Sequence, residues 1–499
     1  PIVPAAQSDS LIQQQKVAAY GDLGGLFAAA DQSLVSFETE QMTVELNPKG
    51  GQISKLTLSS YENYEDAPLP LISEGNTDFN IQLNTLDGRV LNTREMYFTP
   101  ITRDGAEAVQ IEMRATLNAQ QYISFLYSFP KNGHLFSFSV KTVGMQALLN
   151  TAIAPELSWK TDVFRNSRSI DYENRYTEFT FGYEDDRVDY LSLSGNDEET
   201  RQDIRWISYR QHFFSAILIP EQSITEAKIT SVDRSGEESL NEKFTKTFTT
   251  NYALNSGGEV NTSLKFYYGP TDYKALKQLD GDLETSIPMG WGIFGWINRV
   301  IFLPLFEFLS SFLSYGIAII VMTIIVRLAM SPVTYKSYVS QIKMKVLRPD
   351  IEVINNKYKD DAVKRQQETM SLYSRAGANP MSGCVPALLQ LPVFYALFSF
   401  FPVAFVLRDK SFLWADDLSS YLSHGIAIIV MTFIVRLMMS PVTYKYYVSQ
   451  IKMKVLRPDV EVITAKYKDD AVKRQQETMS LYSRAGANPM SGCVPALVQ

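Results

Sequence analysis

One arginine stands where charge is expensive. Residues 316–333, GIAIIVMTIIVRLAMSPV, contain a single charge, Arg327. Eighteen such residues are enough to cross a bilayer as a helix. A guanidinium at the centre of a spanning helix costs roughly 2.5–3.5 kcal/mol and is functional by default, facing water, a cavity or a partner. It offers a fixed positive charge to an anionic group, not bond chemistry. The plain alternative is a structural ion pair. Neither this span nor the later apolar run 383–407 holds an Asp or Glu, which favours a charge facing a polar groove. That later run, GCVPALLQLPVFYALFSFFPVAFVL, has Gln390 as its polar interior residue.

Residues suited to covalent chemistry are scarce. The chain has three histidines, His134, His212 and His424, none at a spacing that suggests an acid–base pair. His134 follows an Asn-Gly turn and His212 lies among bulky apolar residues in RQHFFSAILIP, so both read as turn or edge histidines. The two cysteines, Cys384 and Cys493, give neither a disulfide framework nor a metal spacing. No phosphate-binding glycine loop and no paired-carboxylate motif is present. The expectation is no catalytic residue, no metal and no cofactor.

The arginine occurs twice because its surroundings do. Residues 425–499 repeat 316–390, 75 residues with seven differences, and place Arg436, Thr432 and Gln499 at the positions of Arg327, Thr323 and Gln390. Loops match as closely as helices. Folding does not demand identical loops, so the identity records a recent event: a tandem duplication, a recombined gene or a misassembled sequence.

The elements that position these residues fall into two classes. Mean hydropathy is −0.10, an average that hides an apolar concentration after Trp291. Net charge is −7, yet residues 335–378 hold nine Lys/Arg against five Asp/Glu, and 444–487 the same, leaving −15 elsewhere. Basic loops between apolar spans point to the cytoplasmic side and place an acidic front outside. Acids interleave with the bases and no aromatic stacking set accompanies them, so nucleic acid is not an expected partner.

Residues 1–31, rich in Ala, Gln and Ser, read as a flexible tether. From 32 to 280 the pattern is β. Phe136, Phe138 and Val140 alternate with Ser137 and Ser139 after a turn at 130–133, Asp87-Gly88 marks another hairpin, and Lys49-Gly50-Gly51 a third turn. Many such strands argue a β-sandwich. Residues 291–313, WGIFGWINRVIFLPLFEFLSSFL, are long enough to span. Arg299, Pro304 and Glu307 interrupt them, which favours an amphipathic helix in the interface with its Trp residues at headgroup depth. Pro332 marks the end of the first span. Residues 335–378 read as a helical hairpin zipped by Leu347, Ile351, Ile354 and Tyr358, with Asp360-Asp361 capping the second arm and Gly377 stopping it.

Several stretches resemble the YidC/Oxa/Alb family of membrane protein insertases in its bacterial form with a large periplasmic domain. They are TIIVR followed by Pro332, KMKVLRPDIEVINNKYKDD, QETMSLYSRAGANPMSGCVPALLQLPVFYALF, VLR and SFLWADDLS, with RWISYRQHFFSAILIP and YYGPTDYKALKQLD in the β region. The resemblance covers about 33–421 and rests on the order of the motifs. It implies a periplasmic all-β supersandwich, then an amphipathic helix, then an α-helical membrane insertase core with a cytoplasmic hairpin. It implies a hydrophilic groove closed to the outside, to which Arg327, Thr323 and Gln390 carry over. It implies nascent membrane proteins and the bilayer as partners, with the Sec translocon and ribosome beside them, in the bacterial inner membrane.

The chain departs from the family pattern. After 421 the family continues with further spans, whereas here 422–499 return to the first span and hairpin. The expectations are that a span precedes residue 1, that the last spans of the core are replaced by the repeat, and that this chain inserts poorly. Two other classes compete: an ion channel or transporter with Arg327 and Arg436 along its path, and a membrane-tethered sugar-binding or sugar-modifying β-sandwich.

Overall fold

The computed structural model describes residues 18–28, 33–237, 243–254, 259–378, 385–412, 417–419, 448, 451–467 and 470–486. The chain forms two compact units that divide between Pro288 and Met289.

The first unit is β-sheet with a few short helices. Val35–Glu38, Met42–Asn47, Gln52–Glu62 and Pro68–Ile72 make a four-stranded antiparallel sheet in chain order. The turn at Gly50-Gly51 is glycine for a steric reason. Gly51 has φ +62°, and a Cβ on it would lie 2.9 Å from the Phe98 ring.

Among the described residues the second sheet has fourteen strands. Its order starts at Val90–Asn92 and Thr77–Asn84, then Glu156–Phe164, Phe244–Ala253, Ile224–Asp233 and Asp197–Arg210. It continues through Phe214–Pro220, Asn261–Pro270, Leu135–Val143, Gln121–Pro130 and Ala108–Asn118 to Thr99–Asp104. Glu178–Tyr183 and Arg187–Tyr190 branch from Asp197–Arg210. The hairpin read from Phe136, Phe138 and Val140 is present, with Phe138 opposite Tyr127 and Val140 opposite Phe125.

The large sheet curls onto itself. Phe79 is far from Phe138 in strand order, yet their rings meet edge-on at 5.4 Å, and Trp159 meets Phe266 at 5.6 Å. Alternating apolar side chains thereby close between two layers, the packing of a β-sandwich. Trp159 stacks on Tyr209 at 3.9 Å, and the Tyr209 hydroxyl donates to the Trp159 carbonyl at 2.8 Å. The four-stranded sheet joins this core, with Phe37 against Phe129 at 4.9 Å and the Tyr127 hydroxyl donating to the Gly51 carbonyl at 2.9 Å.

Part of the stretch read as a tether is folded. Gly21–Phe27 is a 3-10 helix that buries Leu23, Leu26 and Phe27, and Tyr97 N donates to the Leu26 carbonyl at 2.9 Å. Three apolar side chains spaced on one side of a short turn are enough to dock it.

The second unit is helical. Its described helices are α1 (Gly292–Ile297), α2 (Leu303–Ser310), α3 (Tyr315–Val346), α4 (Arg348–Lys357), α5 (Ala362–Arg375), α6 (Val385–Phe400), α7 (Arg457–Lys466) and α8 (Ala471–Arg484). Between α1 and α2 the chain makes one wide π turn, Asn298–Phe302.

Pro332 closes the apolar stretch, as its place in the sequence predicts, but it does not end the helix. It lies inside α3, a helix of 32 residues that continues into the charged arm. Proline removes one backbone bond, but KSYVSQIKMKV beyond it is a good helix former and keeps the rod going. At about 1.5 Å per residue the rod is ~48 Å long, so it outruns a hydrocarbon core of about 30 Å by several turns. The hairpin's capping agrees with its sequence: Asp361 accepts from Lys364 N at 2.9 Å, and Gly377 takes φ +61°. The described part of the repeated hairpin is capped alike, with Asp470 accepting from Lys473 N at 2.9 Å and Gly486 at φ +60°.

Candidate functional site

Thr323 and Arg327 are four residues apart on α3 and therefore share a face. Both are half-buried. They sit at the border between a packed face with Ala318 and Met322 fully covered and an open apolar face with Ile324 and Leu328 exposed. The Thr323 hydroxyl donates to the Ile319 carbonyl at 2.9 Å. That back-bond fixes its rotamer and leaves its lone pairs to accept from elsewhere. Gln390 is on α6, a neighbour packed along α3, with its side chain open to the surroundings. The structure thus places a cation and a hydroxyl on one face of α3 and an amide on the helix next to it, with no hydrogen bond among the described residues between Gln390 and the other two. Arg436, Thr432 and Gln499 lie outside the described residues.

The segment 291–310 covers part of this unit. Phe302, Leu303, Phe306 and Leu309 are buried, whereas Trp291, Ile293, Trp296, Val300, Ile301 and Phe308 are exposed. Among the described residues, Gly292–Ser310 and Tyr315–Pro332 are long and apolar enough to cross a membrane. The apolar stripe of the hairpin is half-buried at Leu347, Ile351, Ile354 and Tyr358, with exposed residues between.

Among the described residues no three His, Cys, Asp or Glu groups converge as metal ligands. His212 is not an edge histidine: it is 2% exposed and stacks on Phe213 at 3.8 Å and Tyr176 at 4.6 Å. Burial pushes the His134 imidazole pKa down, which suits a neutral packing role beside Tyr267.

Buried polar groups do gather near the short helix Ile170–Asn174. Arg210 donates to Glu178 at 2.5 Å, and both are almost fully covered. Lys246 donates to the Leu193 carbonyl at 2.7 Å. Asp233 accepts from Ser235 Oγ at 2.7 Å and from Asn174 at 3.2 Å. Burial alone would raise the Asp233 carboxyl, but these hydrogen bonds and the Lys246 charge outweigh it and hold its pKa below the usual range. A depressed carboxylate contributes stability above its unfolded pKa of about 3.9, lost as pH falls through the folded value. Thermal melts across acid pH should therefore show Asp233→Asn less stable than the parent near neutrality, with a flatter decline below pH ~4. Parallel curves would refute the assignment.

Two family models match along the chain, the first running past the unit boundary into α2. A family model described as the YidC periplasmic domain matches residues 34–304. One described as 60Kd inner membrane protein matches twice, at 306–424 and 420–499. The chain is 37% identical over 426 residues to the membrane protein insertase YidC of Parabacteroides distasonis, covering 83% of this chain and 66% of that protein. It is 33% identical over 431 residues to the membrane protein insertase YidC of Bacteroides fragilis, covering 83% and 69%. The chain thus spans about two thirds of the length of these curated relatives. A solved structure, an active YidC insertase with its first transmembrane domain resolved, is 18% identical and covers 95% of this chain and 93% of that one, with TM-score 0.29.

Proposed function

The chain belongs to the YidC family of membrane protein insertases, and from that premise we propose that it takes nascent membrane proteins into a hydrophilic groove and passes their apolar segments into the bilayer. Arg327, Thr323 and Gln390 line the groove. The observation that carries this is Arg327 itself, a half-buried charge in an apolar span, at the edge between packed and open faces of α3.

No bond is made or broken in this process. The guanidinium attracts the acidic flank of a client and holds it partway in. The client's apolar segment then leaves sideways, driven by burial of its surface at about 25 cal/mol per Å². The β unit faces the periplasm, and the basic hairpin faces the cytoplasm, as loop charge dictates. The segment 291–310 lies in the outer interface, with Trp291 and Trp296 among headgroups. The Sec translocon and the ribosome are the partners this reading adds.

The test uses the full chain in proteoliposomes and single-span clients with graded numbers of acidic residues in the translocated flank. Insertion should rise with client acidity in the parent, and the rise should flatten with Arg327→Gln and Arg436→Gln together. An unchanged slope in that variant would sink the groove-charge reading.

A further inference from the structure

The segment 291–310 starts at a bend closed by two glycines. Gly290 has φ +96°, and a Cβ on it would lie 3.0 Å from Ser399 Oγ of α6. A Cβ on Gly295 would lie 2.2 Å from the Gly290 carbonyl oxygen. The bend brings the Met289 carbonyl under α1, where Asn298 meets it. Asn298 is fully buried. Its Nδ2 donates to the Met289 carbonyl at 2.6 Å and to the Ala396 carbonyl at 2.8 Å, with Ser399 Oγ at 3.1 Å. One amide thus ties together the entry bend, the first residue of the π turn and the last turns of α6. Aromatic contacts lie on both sides of it, Phe294 with Tyr395 at 4.5 Å and Phe306 with Phe400 at 6.2 Å.

In apolar surroundings no water competes for these protons, so an interhelical amide with two backbone acceptors acts as a point lock. Backbone carbonyls are also fixed in space, unlike side-chain acceptors. A lock onto them sets height and rotation together.

We propose that Asn298 is a positioning residue that makes 291–310 and α6 one rigid body. The opening of the groove then takes place between α6 and α3, not between α6 and the interfacial segment. That consequence rests on the insertase reading, whereas the lock does not.

The experiment uses the full chain in membranes, with Cys384→Ser and Cys493→Ser. Phe294→Cys with Tyr395→Cys reports the lock by cross-linking with a short thiol reagent. Phe306→Cys with Tyr315→Cys, on rings 6.3 Å apart, is the control. Asn298→Leu removes both donors at similar volume, and Asn298→Asp sets a carboxylate against two carbonyls. Both should lower the 294/395 yield at least threefold and leave the control pair unchanged. Client insertion should fall with that yield and return to within twofold of the parent once 294 and 395 are cross-linked. An unchanged 294/395 yield in Asn298→Leu overturns the proposal. So does a parallel fall in the control pair, which would make Asn298 a general folding residue. Loss of insertion on cross-linking the Asn298 parent also overturns it, because the two elements would then have to part. If the uncross-linked parent inserts nothing, the insertase reading fails, while the yields still decide the lock.

Discussion

Alanine at Arg327, with Arg436 also made alanine so that the repeat cannot supply the charge, should lower insertion of an acidic-flanked client about tenfold or more. Two unit charges ~6 Å apart at an effective dielectric of about 20 attract by ~3 kcal/mol, about two decades in an equilibrium constant. Groove water screens part of that, which leaves about one decade. Lysine at both positions keeps the point charge but loses the planar fork, so it should retain roughly a third of the parent rate. The stability of the chain separates this role from a structural one. A charge that serves clients is dispensable for folding, so the alanine variant should reach the membrane in an amount comparable to the parent while inserting less. A drop in folded chain that tracks the loss of insertion would make Arg327 an ion-pair residue instead. The measurement is client protection from protease per unit of folded chain.

Arg327 stands out as a candidate because its signal is local: a single charge in an eighteen-residue apolar run needs no knowledge of neighbours. The hairpin's Asp361 cap and Gly377 stop were legible for the same reason. Asn298 was not. It lies in a stretch already interrupted by Arg299, Pro304 and Glu307, where one more polar residue adds no contrast. Its importance comes from acceptors at Met289 and Ala396, the second of them 98 residues away. No spacing rule reaches that far.

The same division holds in the fold. The alternation at Phe136, Phe138 and Val140 marks strands and buried faces. It says nothing about Thr77–Asn84 pairing with Glu156–Phe164, a choice made by long-range packing. Pro332 marks the end of the apolar stretch but not of the helix, because a proline costs a helix one bond and the flanking residues decide whether the helix survives. Leu23, Leu26 and Phe27 were hidden by the Ala- and Gln-rich residues before them.

Removing Glu178 should destabilise the β unit more than removing Arg210, although the two are partners in one ion pair. Both are buried, and deleting one partner of a buried pair costs about 3–5 kcal/mol because the other is left uncompensated. The third charge breaks the symmetry. Lys246 is fully covered, and burial pushes its pKa down against the pull of Asp233 and Glu178. With Arg210→Met, Glu178 still faces the Lys246 ammonium, so the loss should fall at or below the bottom of that range. With Glu178→Gln, Arg210 loses its ion-pair partner and Lys246 keeps only the pull of Asp233 against the Arg210 charge, so the loss should reach the top of it. Glu178→Leu with Arg210→Met should recover most of the stability, since a well-packed apolar pair often replaces a buried ion pair at little cost. The pH dependence carries its own sign. A lysine with a depressed folded pKa imposes a penalty that is full below that value and fades as pH rises toward the unfolded pKa of about 10.4. Loss of Glu178 deepens the depression, so Glu178→Gln should regain stability relative to the parent as pH rises. Denaturant unfolding of the full chain, read from the buried Trp159 and Trp206, measures all three variants. Equal losses for the two single substitutions would mean that Lys246 does not sense Glu178.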